Sequence, residues 1–161
     1  MKKLLPFLLF FGLLSLTACG KTPSAVSAMD SFRDAFGGGG ILFSPTVLEG
    51  EDGYIGTDWL VAFFGESAAD AENPLPADYA VLLFPSLAGA REAGVFVCDD
   101  TGDALRLCEL CLDRLELLRS VARAGGTPVP DGAFVRRYGK TVVYAVVEDA
   151  ERAEAVFSRL F

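Results

Sequence analysis

Runs of apolar residues separated by turn-forming residues predict four strands in the second half of the chain. Each run is rich in β-branched or aromatic residues and is bounded by proline, glycine or charged residues, which is typical of strands buried in a sheet. The predicted strands are 79–84, 94–98, 133–138 and 141–147. The last two flank Gly139-Lys140, which predicts a tight hairpin turn. Two further segments have apolar positions at helical spacing and predict helices at 100–123 and 149–160.

The order of these elements predicts one α+β domain over residues 47–161. Strand, strand, helix occurs twice (β-β-α-β-β-α), so we expect a four-stranded, mostly antiparallel sheet with helices packed on one face. A short helix is also predicted at 57–64, where Trp59 and Phe63 share one face. The chain is long enough for one such domain with a core of its own.

Residues 19–46 lack the patterns of the later segments. A short helix is predicted over 24–36, and four consecutive glycines, Gly37–Gly40, follow it. Glycine loses more conformational freedom on folding than other residues do, so four in a row disfavour a stable helix or strand. We therefore predict a flexible tether at 19–46, ahead of the folded domain.

The first 18 residues have the layout of a signal peptide. Lys2 and Lys3 precede an apolar run from Leu4 to Leu16, which is shorter than the roughly 20 residues that a membrane-spanning helix needs. The run ends in Leu16-Thr17-Ala18-Cys19, which resembles the lipobox of bacterial lipoproteins. The simpler alternative is an ordinary signal peptide whose cleavage site falls near a cysteine.

The lipobox resemblance implies a lipid anchor at Cys19. In such proteins the cysteine sulfur receives a diacylglycerol, the chain is cut just before it, and the new amine usually receives an acyl chain. Because each buried methylene contributes about 0.8 kcal/mol, two or three acyl chains hold a domain at a membrane where one chain would bind marginally. We therefore expect a lipid-anchored protein on the extracytoplasmic side of the cell membrane, with Cys19 unavailable as a thiol.

Charge and composition exclude several classes of function. Removal of residues 1–18 deletes two basic residues and no acidic ones, so the net charge changes from −8 to −10. A chain this acidic repels the phosphates of nucleic acids, so no nucleic-acid partner is expected. The sequence contains no histidine, which excludes Ser-His and Cys-His nucleophile pairs. We expect no catalytic residues, no metal site and no cofactor apart from the lipid on Cys19.

Four segments of the predicted domain form a recognisable combination. They are Ala77–Val81 leading to Glu92–Phe96, the long helix, and Tyr138–Tyr144. Together with the lipobox, they resemble a family of small, uncharacterised bacterial lipoproteins that carry a single domain of unknown function. That family usually has a charged residue at the position of Cys98, and its helix lacks a cysteine pair. The resemblance implies a tethered extracytoplasmic domain and implies no reaction.

Cys98, Cys108 and Cys111 are the residues most suggestive of chemistry. A projection at about 100° per residue places both helix cysteines on an apolar stripe, opposite the acidic residues of the helix. The stripe consists of Ala104, Leu105, Cys108, Cys111, Leu112, Leu115 and Leu118, and the acidic residues are Glu109, Asp113 and Glu116. We interpret the cysteines as small buried residues, with a disulfide between Cys98 and a helix cysteine as one alternative.

A redox pair and a zinc site are two more interpretations of these thiols. A redox pair usually places its reactive cysteine at a helix N-terminus, where the amide dipoles lower the thiol pKa, but Cys108 lies two turns inside its helix. A zinc site needs four ligands, so Asp99 or Asp100 would have to complete the three sulfurs.

Carboxylates crowd the start of both long helices. They are Asp99, Asp100 and Asp103 at the first helix and Glu148, Asp149 and Glu151 at the second. We interpret them as helix caps that accept from free backbone amides and oppose the positive end of the helix dipole. A cation site and an acid-base pair are the alternatives.

Arg136, Arg137 and Lys140 make a basic hairpin on an otherwise acidic protein. We interpret them as a solvated sheet edge that discourages strand addition, and the alternative is a docking patch for an acidic partner or an anionic envelope polymer. Leu110 and Leu117 project away from the apolar stripe of the long helix. They are expected either to be covered by the segment 45–75 or to form a contact surface.

These features predict a non-enzymatic, lipid-anchored binding or interaction module at the outer face of the membrane. Its partner, a protein or an envelope polymer, is not defined by the sequence. The alternatives are a thiol-redox protein that uses Cys98, Cys108 and Cys111 and a hydrolase that uses a pair of carboxylates.

Overall fold

The computed structural model describes residues 22–56, 60, 63–64, 76–84, 90–125 and 130–161. Within these residues it contains three complete helices and five strands. In chain order they are α1 (Ala25–Ala35), β1 (Ile41–Phe43), β2 (Asp78–Leu83), β3 (Ala90–Val97), α2 (Thr101–Gly125), β4 (Phe134–Tyr138), β5 (Thr141–Val147) and α3 (Ala150–Leu160). The predicted α+β class and the repeated strand-strand-helix order are confirmed.

The strands form one antiparallel sheet in the order β1-β2-β3-β5-β4. The β4-β5 hairpin turns at Gly139-Lys140, as predicted, and Gly139 has a φ of 61°, which glycine adopts without steric cost. The predicted number of four strands is wrong by one, because β1 adds an edge strand beside β2. β1 is the apolar run Ile41–Phe43, but it has only three residues and none of them is buried, so the run is too short to predict a strand.

Helices cover both faces of the sheet. α1 and α3 pack on one face, against Ala80, Leu82, Ala93, Val95, Val143 and Ala145. α2 packs on the other face, against Tyr79, Val81, Phe96, Val142, Tyr144 and Val146. The prediction of helices on one face is therefore wrong. All seven residues of β5 are buried, and a strand that is apolar on both sides requires cover on both sides.

Helix α1 belongs to the folded domain. Ser24 caps it by accepting a hydrogen bond from the amide of Ser27, and the amide of Ala25 donates to the carboxylate of Asp78 on β2. The inward face of α1 is fully buried and consists of Ala25, Ala28, Met29 and Phe32. The short helix predicted at 24–36 is confirmed. Residues 24–43, however, contribute a helix and a strand to the domain that was predicted to start at 47, so they are not part of a flexible tether.

The glycine run forms the turn between α1 and β1. Gly37, Gly38 and Gly40 have positive φ angles. Gly40 also approaches the sheet so closely that a Cβ atom there would lie 2.7 Å from the carbonyl oxygen of Leu83. Glycine at this position therefore allows the sharp entry into β1.

Several predicted features lie outside the described residues. They include the signal peptide 1–18, Cys19, and Trp59 with most of the predicted helix at 57–64. Leu60, Phe63 and Phe64 of that segment are helical and buried against the α2 side of the sheet. In the part of the chain that the structure describes, no helix combines the length and the apolar character needed to span a bilayer.

Candidate functional site

A buried polar network connects α2 to the centre of the sheet. Glu92 on β3 is only 6% exposed. Arg114 on α2 donates from Nε and Nη2 to the two carboxylate oxygens of Glu92, each at 3.1 Å, and Tyr144 on β5 donates its hydroxyl to the same carboxylate. The guanidinium also donates to the carbonyl of Phe63 at 3.4 Å and lies 4.3 Å from the centre of its ring. Every polar group of the network thus has a partner.

The electrostatics of this network favour a fixed protonation state. Burial raises the pKa of Tyr144 above its usual range, and the neighbouring charge of Glu92 raises it further, so the hydroxyl remains a donor. Burial opposes the charge of Arg114, but hydrogen bonding to Glu92 and the charge of that carboxylate raise the net pKa of the guanidinium. The cluster therefore has a structural role: its hydrogen bonds hold α2 to β3 and β5.

This network was not predicted from the sequence. Glu92 is buried near the start of β3, just before its apolar part Ala93–Val97, and Arg114 follows Cys111 by three residues on the buried side of α2. The strand predicted at 94–98 begins after Glu92, so the sequence pattern did not place this carboxylate in the sheet, where it is buried only because it is paired.

The three cysteines lie near one another: Cys98 directly follows β3, and Cys108 and Cys111 lie on α2. Cys98 and Cys111 are buried, Cys108 is half-buried, and all three are free thiols. Burial raises the pKa of each thiol, and that of Cys98 reaches about 11 with the added charges of Asp103 and Cys108. A raised pKa disfavours the thiolate, which is the reactive form. The cluster therefore fits the interpretation of small core residues better than that of a redox pair.

No metal-binding arrangement is found among the described cysteines and carboxylates. The two candidate carboxylates for a zinc site have other positions: Asp99 is exposed, and Asp100 caps α2. The described residues thus provide no ligand set for the zinc alternative.

Of the carboxylates predicted to cap the two helices, Asp100 and Asp149 accept from backbone amides at the helix starts. Asp100 accepts from the amides of Gly102 and Asp103 at 2.7 and 2.9 Å. Asp149 accepts from the amide of Arg152 at 2.9 Å at the start of α3. Each side chain satisfies amides that have no partner within the helix.

The structure separates the predicted basic patch. Arg136 and Arg137 are neighbours on β4 and therefore point to opposite faces of the sheet. Arg136 forms an ion pair with Glu154 on α3 at 2.6 Å. Arg137 donates to the carbonyl of Gly139, and Lys140 donates to the carbonyl of Asp99. Within the described residues, Arg137 and Lys140 thus remain as hairpin cations without a carboxylate partner.

Helix α2 is rotated relative to the predicted stripe. Its buried residues are Ala104, Leu107, Cys111 and Leu115. Leu105 and Leu112, which were predicted to face the core, are 54% and 52% exposed, whereas Leu110 packs partly against the core. The pairing of Arg114 with Glu92 requires this rotation, because it brings Arg114 to the sheet. Leu117 and Val121, 52% and 59% exposed, add a second apolar edge to the outer side of α2.

A cleft of about 340 Å³ lies where the hairpin meets both described ends of the chain. Thr22 and the C-terminal residues Leu160 and Phe161 line it. Tyr138–Thr141 of the hairpin and Val97 complete the lining. The cleft combines aromatic and apolar walls with the amine of Lys140.

Comparison with known proteins adds no relative. No family model matches the chain. No curated protein and no solved structure is significantly similar to it. The resemblance to small bacterial lipoproteins therefore stays a prediction.

Proposed function

We propose that this protein is an extracytoplasmic lipoprotein whose acidic domain is held at the cell membrane by lipid on Cys19. The observation that carries the proposal is the order of a charged start, a short apolar run and Leu16-Thr17-Ala18-Cys19. The fold is compatible with it, because α1 begins at Ala25, only six residues after Cys19. The domain would thus follow the anchor almost directly.

We further propose that the domain is a binding module that uses the outer side of α2. Leu105 and Leu112 lie two turns apart on one edge of this side, and Leu117 and Val121 lie one turn apart on the other. The exposed carboxylates of Glu109 and Asp113 lie between the two edges. Exposed apolar side chains that recur along one helix are typical of a contact surface. Their combination with carboxylates favours a protein partner with apolar and basic side chains.

The anchor is tested by expressing the full chain in bacteria with radiolabelled palmitate. We expect label on the wild-type protein, partition into the detergent phase, and an intact mass that corresponds to the acylated chain starting at Cys19. Cys19→Ala should abolish the label and the partition. A mature wild-type protein without acyl mass would refute the proposed anchor.

The contact surface is tested with a photo-crosslinking amino acid at position 112 in intact cells. A discrete adduct is expected there and not at position 155, which is exposed on α3 and serves as the matched control. Leu105→Glu and Leu117→Glu should remove the adduct without unfolding the domain, since both side chains are largely exposed. Equal crosslinking at both positions, or an adduct that survives both substitutions, would assign the binding site elsewhere.

A further inference from the structure

We propose that the end of the domain carrying the β4-β5 hairpin faces the lipid headgroups. This inference rests on the lipid anchor proposed above. It concerns a surface defined by the cleft residues Thr22, Tyr138, Lys140 and Phe161. Together with Arg137, they are called the hairpin end below.

The covalent reach of the chain places the hairpin end near the anchor. Thr22 lies three positions after Cys19, and a fully extended chain spans at most about 11 Å over that distance. Thr22 lies in the cleft beside the hairpin. The opposite end of β5, at Val147, lies about 20 Å further along the strand from Thr141. Acyl chains on Cys19 therefore reach the bilayer only with the hairpin end held close to it.

The residue types at the hairpin end suit a headgroup surface. Tyr138 and Phe161 stack with ring centres 5.7 Å apart, and both are half-buried. Tyrosine is enriched where proteins meet the headgroup region of membranes. Arg137 and Lys140 are exposed and donate only to backbone carbonyls, so their charges remain available to anionic lipid.

The distribution of lysine supports the same orientation. After removal of residues 1–18 the chain keeps two lysines, Lys21 and Lys140. Lys21 directly precedes Thr22 in the sequence, and Lys140 is part of the hairpin end of a strongly acidic domain. Asp99 and Asp100 lie beside the hairpin, and Asp100 is already used as the cap of α2. The remaining acidic surface would be repelled by an anionic leaflet, which favours the orientation with the hairpin end toward the lipid.

The test measures amine labelling of the full-length lipidated protein. The protein is added to preformed phosphatidylcholine–phosphatidylglycerol vesicles or kept in detergent, and a membrane-impermeant amine-reactive ester is applied to both. Peptide mass spectrometry then gives the labelling rate at each lysine. Arg123→Lys supplies the control, because position 123 is exposed near the far end of α2, about 33 Å along the helix from Thr101.

We expect Lys140 to be labelled severalfold more slowly in vesicles than in detergent, while the control lysine from Arg123→Lys reacts equally in both. Equal labelling of Lys140 in a protein whose intact mass shows acylation would overturn the orientation and leave the anchor intact. A mass without acyl groups would overturn both. The slower labelling of Lys140 should also persist when the ratio of protein to lipid is lowered. If it disappears at low ratio, a second copy of the chain covers the hairpin end, and the lipid contact is overturned.

Discussion

Arg114 on α2 donates a hydrogen bond to each carboxylate oxygen of Glu92 on β3, both at 3.1 Å. Tyr144 on β5 donates to the same carboxylate, so one acidic side chain connects a helix to two adjacent strands. Among the described residues, no buried side-chain nitrogen or oxygen lacks a partner. Such a network is stabilising only while it is complete, because a buried charge without its partner is costly.

Glu92→Gln is therefore expected to lower the free energy of unfolding by about 3 kcal/mol, because it leaves the partly buried guanidinium of Arg114 uncompensated. Urea unfolding followed by circular dichroism measures the change. Glu116→Gln is the matched control: Glu116 pairs with Arg119 on the exposed side of the same helix, at 2.6 Å. An exposed pair contributes less than about 1 kcal/mol. Equal, small effects of both substitutions would show that the buried pair does not hold α2 to the sheet.

Alkaline pH is expected to destabilise the domain. Burial, with the charges of Asp103 and Cys108, raises the thiol pKa of Cys98 to about 11, and burial also raises the pKa of Tyr144. Unfolding returns both groups to ordinary values, so the unfolded chain loses these protons first. Their contribution to stability is present below about pH 8.5 and is lost as the pH rises toward 11.

The urea midpoint measured from pH 8 to pH 10.5 checks this expectation. The midpoint of the wild-type protein should fall across this range, and that of Cys98→Ala should fall less steeply, because one of the contributing groups is gone. Parallel curves for the two proteins would show that the thiol ionises alike in the folded and unfolded chains.

Most of the secondary structure was predictable because it depends on local pattern. The strand at 141–147 was predicted with its observed bounds, and the two long helices within two residues at each end. Residues 79–83 and 94–97 carry apolar side chains on both faces, which already indicated cover on both sides of the sheet. The repeated order of strand, strand and helix instead predicted one covered face.

The tertiary features were less accessible from the sequence. β1 gains its hydrogen bonds from β2, which lies 35 residues further along the chain, so its own three residues carry no sufficient signal. The rotation of α2 depends on the pairing of Arg114 with Glu92, and a projection that counts only apolar residues places Arg114 outside the core. Long-range polar contacts of this kind are decided by packing rather than by periodicity.

The cap of α2 gives a third prediction. Asp100→Ala is expected to lower stability by about 1 kcal/mol, because the amides of Gly102 and Asp103 lose their acceptor. Asp99→Ala removes the neighbouring exposed carboxylate and should change stability by less than about 0.5 kcal/mol. Thermal unfolding of both variants, with and without calcium, separates a cap from a cation site. If calcium stabilises the wild-type protein and either substitution abolishes that stabilisation, the carboxylates form a cation site instead.

The glycine turn between α1 and β1 gives the fourth prediction, and it distinguishes a structured segment from a flexible tether. Gly40 has a φ of 93°, and an added Cβ would lie 2.7 Å from the carbonyl oxygen of Leu83. Gly40→Ala is therefore expected to lower the free energy of unfolding by more than about 1 kcal/mol, because alanine is strained at positive φ and also collides with β2.

Gly39→Ala is the matched control for this prediction. Gly39 has no positive φ, and an added Cβ there meets no atom within 4 Å, so alanine should be neutral or slightly stabilising through its smaller loss of chain entropy. Urea unfolding of both variants measures the difference. If the two alanine variants are equally stable, the run 37–40 does not hold β1 against β2, and the folded domain starts after it. A destabilised Gly40→Ala beside an unaffected Gly39→Ala places the start of the domain at α1, close to the proposed anchor.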